Sequence, residues 1–156
     1  MAKLGGYMGK MLRVDLSQEL ITEEKLDPAI LRKFVGVSGL GVKIMYDEVP
    51  PGIEWNDPSN RIIWLTGPFT GTRTPGSGTY GVATKSPLSN RFGVSHANGY
   101  FGPRLKFAGY DGVIFQGAAR RWVYLYIHDG VAELRDAAHL LGRDTWDTEE
   151  MLQKEI

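Results

Sequence analysis

The side chains best able to do chemistry crowd into residues 74–102, TPGSGTYGVATKSPLSNRFGVSHANGYFG, where glycine and hydroxyl are plentiful and charge is scarce. Ser77, Thr79, Thr84, Ser86, Ser89 and Ser95 offer hydroxyl groups that both donate and accept. The glycines between them offer backbone amides that a ligand can approach closely. Such a set suits a ligand rich in polar atoms, with Arg73, Lys85 and Arg91 able to meet phosphates. His96 stands in a run of small residues between Ser95 and Asn98, and can serve as ligand, base or hydrogen-bond donor. The plainer alternative is a pair of tight turns joining strands, with a histidine that only packs. His128, closing an apolar run, and His139, after a pair of alanines, have weaker claims.

Tyr80, Phe92, Tyr100 and Phe101 give the stretch aromatic anchors that a flexible Gly/Ser linker lacks, so an ordered segment is expected. Its GSGTYG at 76–81 matches the letters of a dinucleotide fingerprint but precedes a strand instead of joining strand to helix, so that reading fails on context. No HExxH, GxSxG or phosphate-binding P-loop motif is present.

The rest of the chain must position these groups. At 156 residues it is long enough for one domain with a real core, since a chain of about 150 residues buries roughly 70% of its unfolded surface. Lys+Arg and Asp+Glu both number 18, a balance that gives no electrostatic footprint for nucleic acid or an anionic membrane, and neither partner is expected. There is no cysteine, which excludes disulfides, thiolate zinc sites and cysteine-held iron–sulfur clusters within this chain. The N-terminal residues lack an apolar run of signal-peptide length, and no segment reaches the roughly 20 apolar residues of a membrane span. A cytoplasmic location is the expectation.

Alternation over Lys10–Leu16 and again from Leu20, around Ser17-Gln18-Glu19, predicts a hairpin. Asp27-Pro28 predicts a capped helix through Ile30, Leu31 and Phe34 that stops at Gly36, and Ser38 is expected to cap a second helix ending before Pro50-Pro51. RIIWLT at 61–66 and TYGVATK at 79–85 read as strands, while Phe101 to Phe107 reads as a short helix closed by Gly109. The remainder reads as Gly112–Gln116, then Trp122–His128 and Val131–Asp136 joined by Asp129-Gly130, whose type I′ turn needs positive φ at both residues. A last helix from Asp144 or Thr145 carries Trp146, Leu152 and Ile156 to the final residue without a C-cap, which reads as a chain interrupted.

Several separate segments in one order resemble a known family. These are GKMLRVDL at 9–16, KIMYDEVPPG at 43–52, TGPFTGTRTPGSG at 66–78 and TKSPLS at 84–89. They continue with NGYFGPRLKFAGYDGVIFQG at 98–117, VYLYIHDG at 123–130 and ELRDAAHLLGRDTWDTE at 133–149. The chain is identified from them as a member of the tungsten-containing aldehyde ferredoxin oxidoreductase family, matching its N-terminal domain from Gly9 onward.

The resemblance implies an α+β, β-rich domain of antiparallel and mixed sheets with short helices, with residues 1–156 cradling a pterin cofactor and incomplete at the C-terminal end. The cofactor implied is a tungsten, or molybdenum, bis-pyranopterin with a bridging magnesium ion. Three contact positions carry over: Thr79, where the family has an arginine; His96, where it has an asparagine whose carbonyl binds the magnesium; and Asn98, where it has a pterin-contacting glycine. A contact made by a backbone carbonyl or amide does not depend on the side chain.

The resemblance further implies oxidation of aldehydes to carboxylates, with electrons leaving through a [4Fe–4S] cluster to ferredoxin or another electron-transfer subunit. The cluster's cysteines and the catalytic acid and base belong to later domains of full-length members, so no catalytic residue is expected here and this chain alone is not expected to turn over aldehydes. The other reading is a non-catalytic module that binds a ligand or a subunit, or forms a homo-oligomer through apolar surface.

Overall fold

The computed structural model describes residues 4–156. Its centre is a six-stranded sheet in the order β2-β1-β6-β3-β4-β5, accompanied by a separate two-stranded sheet, β7-β8. The large sheet comprises β1 (Lys10–Asp15), β2 (Leu20–Lys25), β3 (Arg61–Thr66), β4 (Tyr80–Lys85), β5 (Phe92–Ala97) and β6 (Gly112–Gln116). All its pairings are antiparallel except β1 with β6, where Leu12 lies beside Val113 and Val14 beside Phe115. With its short helices, this is the mixed-sheet α+β architecture expected.

One face is closed by α1 (Pro28–Phe34) and α2 (Val37–Glu48). Asp27 caps α1 by accepting from the Ala29 amide, with Pro28 pre-set in the first turn. Leu31, Leu40 and Met45 from these helices meet Met11, Ile63, Leu65, Ala83 and Ile114 from alternate strand positions in one buried cluster. Each leucine, isoleucine and methionine of the cluster contributes about 1.5–3 kcal/mol by leaving water.

Part of the opposite face is closed by the hairpin of β7 (Val123–His128) and β8 (Val131–Asp136). Its Leu125, Ile127, Ala132 and Leu134 pack on Leu12, Val14, Leu105, Tyr110 and Val113. Asp129 and Gly130 both have positive φ, as the Asp-Gly turn requires. A short α3 (Phe101–Phe107) follows β5, and α4 (Thr145–Glu155), capped by Asp144, follows a single 3-10 turn at Ala138–Leu140. Among the described residues, no helix is long and apolar enough to cross a membrane.

Two expectations need correction. Ser38 does not cap α2: the helix begins at Val37 behind Gly36, and the Ser38 hydroxyl lies 3.1 Å from His96 Nε2. Residues 92–97, for which the sequence predicts no element between the expected strand at 79–85 and the expected helix at 101–107, form the edge strand β5, paired from Lys85–Phe92 to Tyr80–Ala97. Pairing with β4 overrides the weak strand preference of Gly93, Ser95 and Ala97.

A buried ion pair fastens the chain's beginning to this frame. Lys106 Nζ sits 2.5 Å from Asp111 Oδ1, and both side chains are almost wholly buried. Asp111 also accepts from the Met8 and Gly9 amides, while Lys106 donates to the Gly6 carbonyl. Every charge-bearing atom therefore has a partner, which burial of the pair requires.

Candidate functional site

The candidate site lies where two turns meet at the end of the β4–β5 hairpin. The first runs from Gly67 to Thr79 and is held by its own hydroxyls. Thr70 Oγ1 donates to the Thr79 carbonyl, Ser77 Oγ donates to the Thr72 carbonyl, and the Gly71 amide donates to the Ser77 carbonyl. The second runs from Asn98 to Tyr100 and leads into α3. A Cβ on Gly78 would stand 2.8 Å from the Gly99 carbonyl oxygen, so the turns approach backbone to backbone. Gly99 has φ +140° and open space around its Cα, a conformation that L side chains rarely adopt.

Thr79 and Asn98 come together across the two turns: Thr79 Oγ1 donates to Asn98 Oδ1 at 2.5 Å. His96 sits two positions before Asn98, on the exposed end of β5, but its ring turns to the other face of the sheet and meets Ser38 at the start of α2. The sequence-predicted residues thus gather at one end of the β4–β5 pair without pointing their side chains at one point. The backbone is what they have in common. β5 is the last strand of the sheet, and an edge strand leaves alternate amides and carbonyls without a ladder partner.

The other residues named from sequence divide by location. Thr84 accepts from Asn60 Nδ2, Ser86 accepts from the Leu88 and Ser89 amides, and Lys85 donates to the Ile53 carbonyl, so these groups serve the fold. Arg91 precedes β5 at the end far from Asn98, about 20 Å away at strand rise. Arg73 belongs to the glycine turn, is exposed, and forms no ion pair among the described residues. His128 approaches Asp129 at the hairpin turn, and His139 contacts Glu155 at 2.6 Å, both remote in the fold from the candidate site. Among the described residues, no group of three or more His, Cys, Asp or Glu is placed to hold a metal ion.

Beneath the turns is an aromatic trio that sequence reading did not assemble. Trp64 and Tyr80 stack with ring centroids 5.8 Å apart and 10° between planes, and Phe101 tilts against each at 4.9 Å. The signal was the alternation in RIIWLT, which puts Ile62, Trp64 and Thr66 on one parity, away from the helices. The trio joins β3, β4 and the start of α3 directly below Gly78 and Gly99. Above it, Val82, Thr84, Gly93, Ser95 and Ala97 make the corresponding side of β4 and β5, a floor of small side chains. A backbone conformation of note lies behind the edge: Val35 has φ +64° and Val37 φ +30°, an uncommon state for β-branched residues, and Val37 presses on Gly81.

Glycine turns at the end of a β-hairpin edge on a mixed α+β sheet define the class of domain. The chain belongs to the family of aldehyde ferredoxin oxidoreductase N-terminal domains, whose family model matches residues 11–156. It is 42% identical over 151 residues to the tungsten-containing aldehyde ferredoxin oxidoreductase of Pyrococcus abyssi, covering 97% of this chain and 25% of that protein. It is 40% identical over 153 residues to the WOR-like subunit of aliphatic sulfonate oxidoreductase from Pyrococcus furiosus, covering 96% of this chain and 24% of that one. A solved structure of the active site complex BamBC of benzoyl coenzyme A reductase, in complex with 1,5-dienoyl-CoA, superposes with a TM-score of 0.94 at 37% identity, over 97% of this chain and 23% of its counterpart. The chain therefore spans about a quarter of the length of the relatives it matches.

A tungsten–pterin group is a bulky, polar, anionic ligand, and the residues present suit it in part. Two turns in backbone contact, an unpaired strand edge and a small-residue floor leave room for backbone hydrogen bonds to a flat polar ring. Charge is supplied sparingly: Thr79 is neutral and spends its proton on Asn98, which leaves Arg73 as the cation within the turn.

Proposed function

We propose that residues 1–156 form the pterin-cradling domain of a tungsten, or molybdenum, bis-pyranopterin oxidoreductase that converts aldehydes to carboxylates. The observation that carries this reading is the junction of the two turns at the open end of β5, where Gly78 meets Gly99 and the sheet edge is unpaired. The backbone of residues 76–80 and 96–99 would grip the pterin, Thr79 and Asn98 would frame it as a hydrogen-bonded pair, and the His96 carbonyl would face the bridging magnesium. Arg73 would meet phosphate. When bound, the metal–pterin group supplies the two-electron chemistry, and this chain holds and orients it.

Electron transfer through a [4Fe–4S] cluster to ferredoxin or another electron-transfer subunit belongs to chains or segments with thiolates, since this one has no cysteine. The names of two relatives speak of a subunit and an active site complex, which supports assembly with partners. Self-association is the second reading, favoured by the exposure of Trp146 on α4 and of Ile156 directly after it.

The test is reconstitution of the 156-residue chain with molybdopterin, followed by gel filtration and fluorescence of the oxidised pterin. Pterin should travel with the protein, while dye reduction with an aldehyde stays at background. Pterin that never co-elutes would sink the cradle reading, and aldehyde-dependent dye reduction by this chain alone would overturn its division of labour.

A further inference from the structure

We propose that Asn98–Gly99 is a site of spontaneous self-modification, at which asparagine is converted to aspartate and isoaspartate and a carboxylate is installed in the cradle. The chain has four asparagines, and only Asn98 is followed by glycine. The reaction starts when the Gly99 backbone nitrogen, losing its proton, attacks the Asn98 side-chain carbon. A carbon–nitrogen bond forms, the bond to the side-chain NH2 breaks, and ammonia leaves with a proton from solvent. Water then opens the cyclic imide at either carbonyl and leaves an acid at position 98. Water is the one co-reactant, and no electrons change hands.

Three features of the structure favour the attack here. Asn98 is exposed, so water and base reach it. The Gly99 amide donates no hydrogen bond among the described residues, which leaves its nitrogen free, and Gly99 has no Cβ to obstruct the approach. Thr79 Oγ1 donates to Asn98 Oδ1, which draws electron density from the carbonyl carbon that is attacked.

The other asparagines lack this combination. Asn60 Oδ1 accepts from the Arg61 amide, the group that would have to attack, and Arg61 is already fixed as the first residue of β3. Asn90 has a buried Oδ1, and its Nδ2 is held by Glu54. Asn56 precedes Asp57, whose amide donates to the Glu54 carbonyl.

The consequence for ligand binding rests on the pterin reading above. An acid at position 98 is ionised at neutral pH. It would stand beside Thr79, where the cradle has Arg73 as the cation of its turn, and would repel an anionic cofactor. Loss of affinity for the cofactor would then be an ageing reaction of the empty domain, and occupancy by pterin would shield the site.

The experiment holds the 156-residue chain in mildly alkaline buffer made with heavy-oxygen water, digests it and follows label by mass spectrometry. Label should enter position 98 about tenfold or more faster than positions 56, 60 and 90, with isoaspartate the larger product. N98Q, whose longer side chain closes a less favourable ring, should stay unlabelled there. Position 98 labelling no faster than the other three would overturn the proposal. In a second arm, N98D and the unaltered chain are loaded with molybdopterin and passed over gel filtration. N98D should retain several-fold less, and equal retention would overturn the claimed consequence. An unaltered chain that retains no molybdopterin would overturn the pterin reading instead, with the labelling result still deciding the modification.

Discussion

The two ends of the large sheet differ in how far they are covered and in how they satisfy their polar groups. At β1 and β6 the strands are covered on both faces, by α1 and α2 on one side and the β7–β8 hairpin on the other. There the polar side chains close on one another: Arg13 binds Glu48 and Glu24, Arg61 binds Glu48, and Gln116 bridges Arg13 and Asp15. Toward β4-β5 the helices cover one face, the other face is a floor of small side chains, and the edge carries no charged side chain across 92–97. Both outer strands, β2 and β5, leave one ladder edge open, but β2 carries Glu23, Glu24 and Lys25 whereas β5 carries no charge. An uncharged sheet edge of that kind invites another strand.

This contrast can be broken or sharpened by substitution. The largest effect is expected at the closed end: D111A strands the buried Lys106 ammonium and frees the Met8 and Gly9 amides, and should cost about 3–5 kcal/mol in urea unfolding. A loss under 1 kcal/mol would mean that the strap of residues 6–9 is not fastened as described. Next comes G81A, whose added Cβ would lie 2.3 Å from Val37 Cγ1 and 3.0 Å from the Ser95 carbonyl oxygen. It should destabilise by about 1–3 kcal/mol and disturb β5 before the hairpin.

Acid should act through the closed end. Burial pushes the Glu48 carboxyl up, but hydrogen bonds from Arg13 and Arg61 outweigh that and hold it below the ordinary glutamate value. A folded-state value below the unfolded one contributes stability above the unfolded pKa that is lost as pH falls through the folded one, so stability should drop below about pH 4. E48Q should flatten that part of the pH profile, and an unchanged profile would remove Glu48 from the account. At the open end S95A, on an exposed face without a side-chain hydrogen bond among the described residues, should change stability by less than about 0.5 kcal/mol. V35G should raise it by a similar small amount, because Val35 is half exposed and its φ of +64° suits glycine.

Much of the closed end was legible in the sequence because its signals are local. Asp27-Pro28, the alternation of Lys10–Asp15 and the Asp129-Gly130 turn each name an element within a few residues, and the structure has each of them. The parallel pairing of β1 with β6 was not legible, since nothing near Leu12 announces Val113 a hundred residues on. The open end was harder. FGVSHA carries two strand-favouring residues among small ones, and only its pairing with β4 makes it a strand. The candidate residues were legible as positions but not as an arrangement: Thr79 and Asn98 meet, whereas the His96 ring crosses to Ser38 on α2 because its parity in β5 faces the helices.

The central claim is that the junction of the two turns with the β5 edge holds the pterin, and hydrogen exchange with and without molybdopterin tests it most directly. Added molybdopterin should slow exchange in residues 76–80 and 92–100 and leave 123–136 unchanged. No slowing at the edge and turns, or slowing confined to the β7–β8 hairpin, would contradict it.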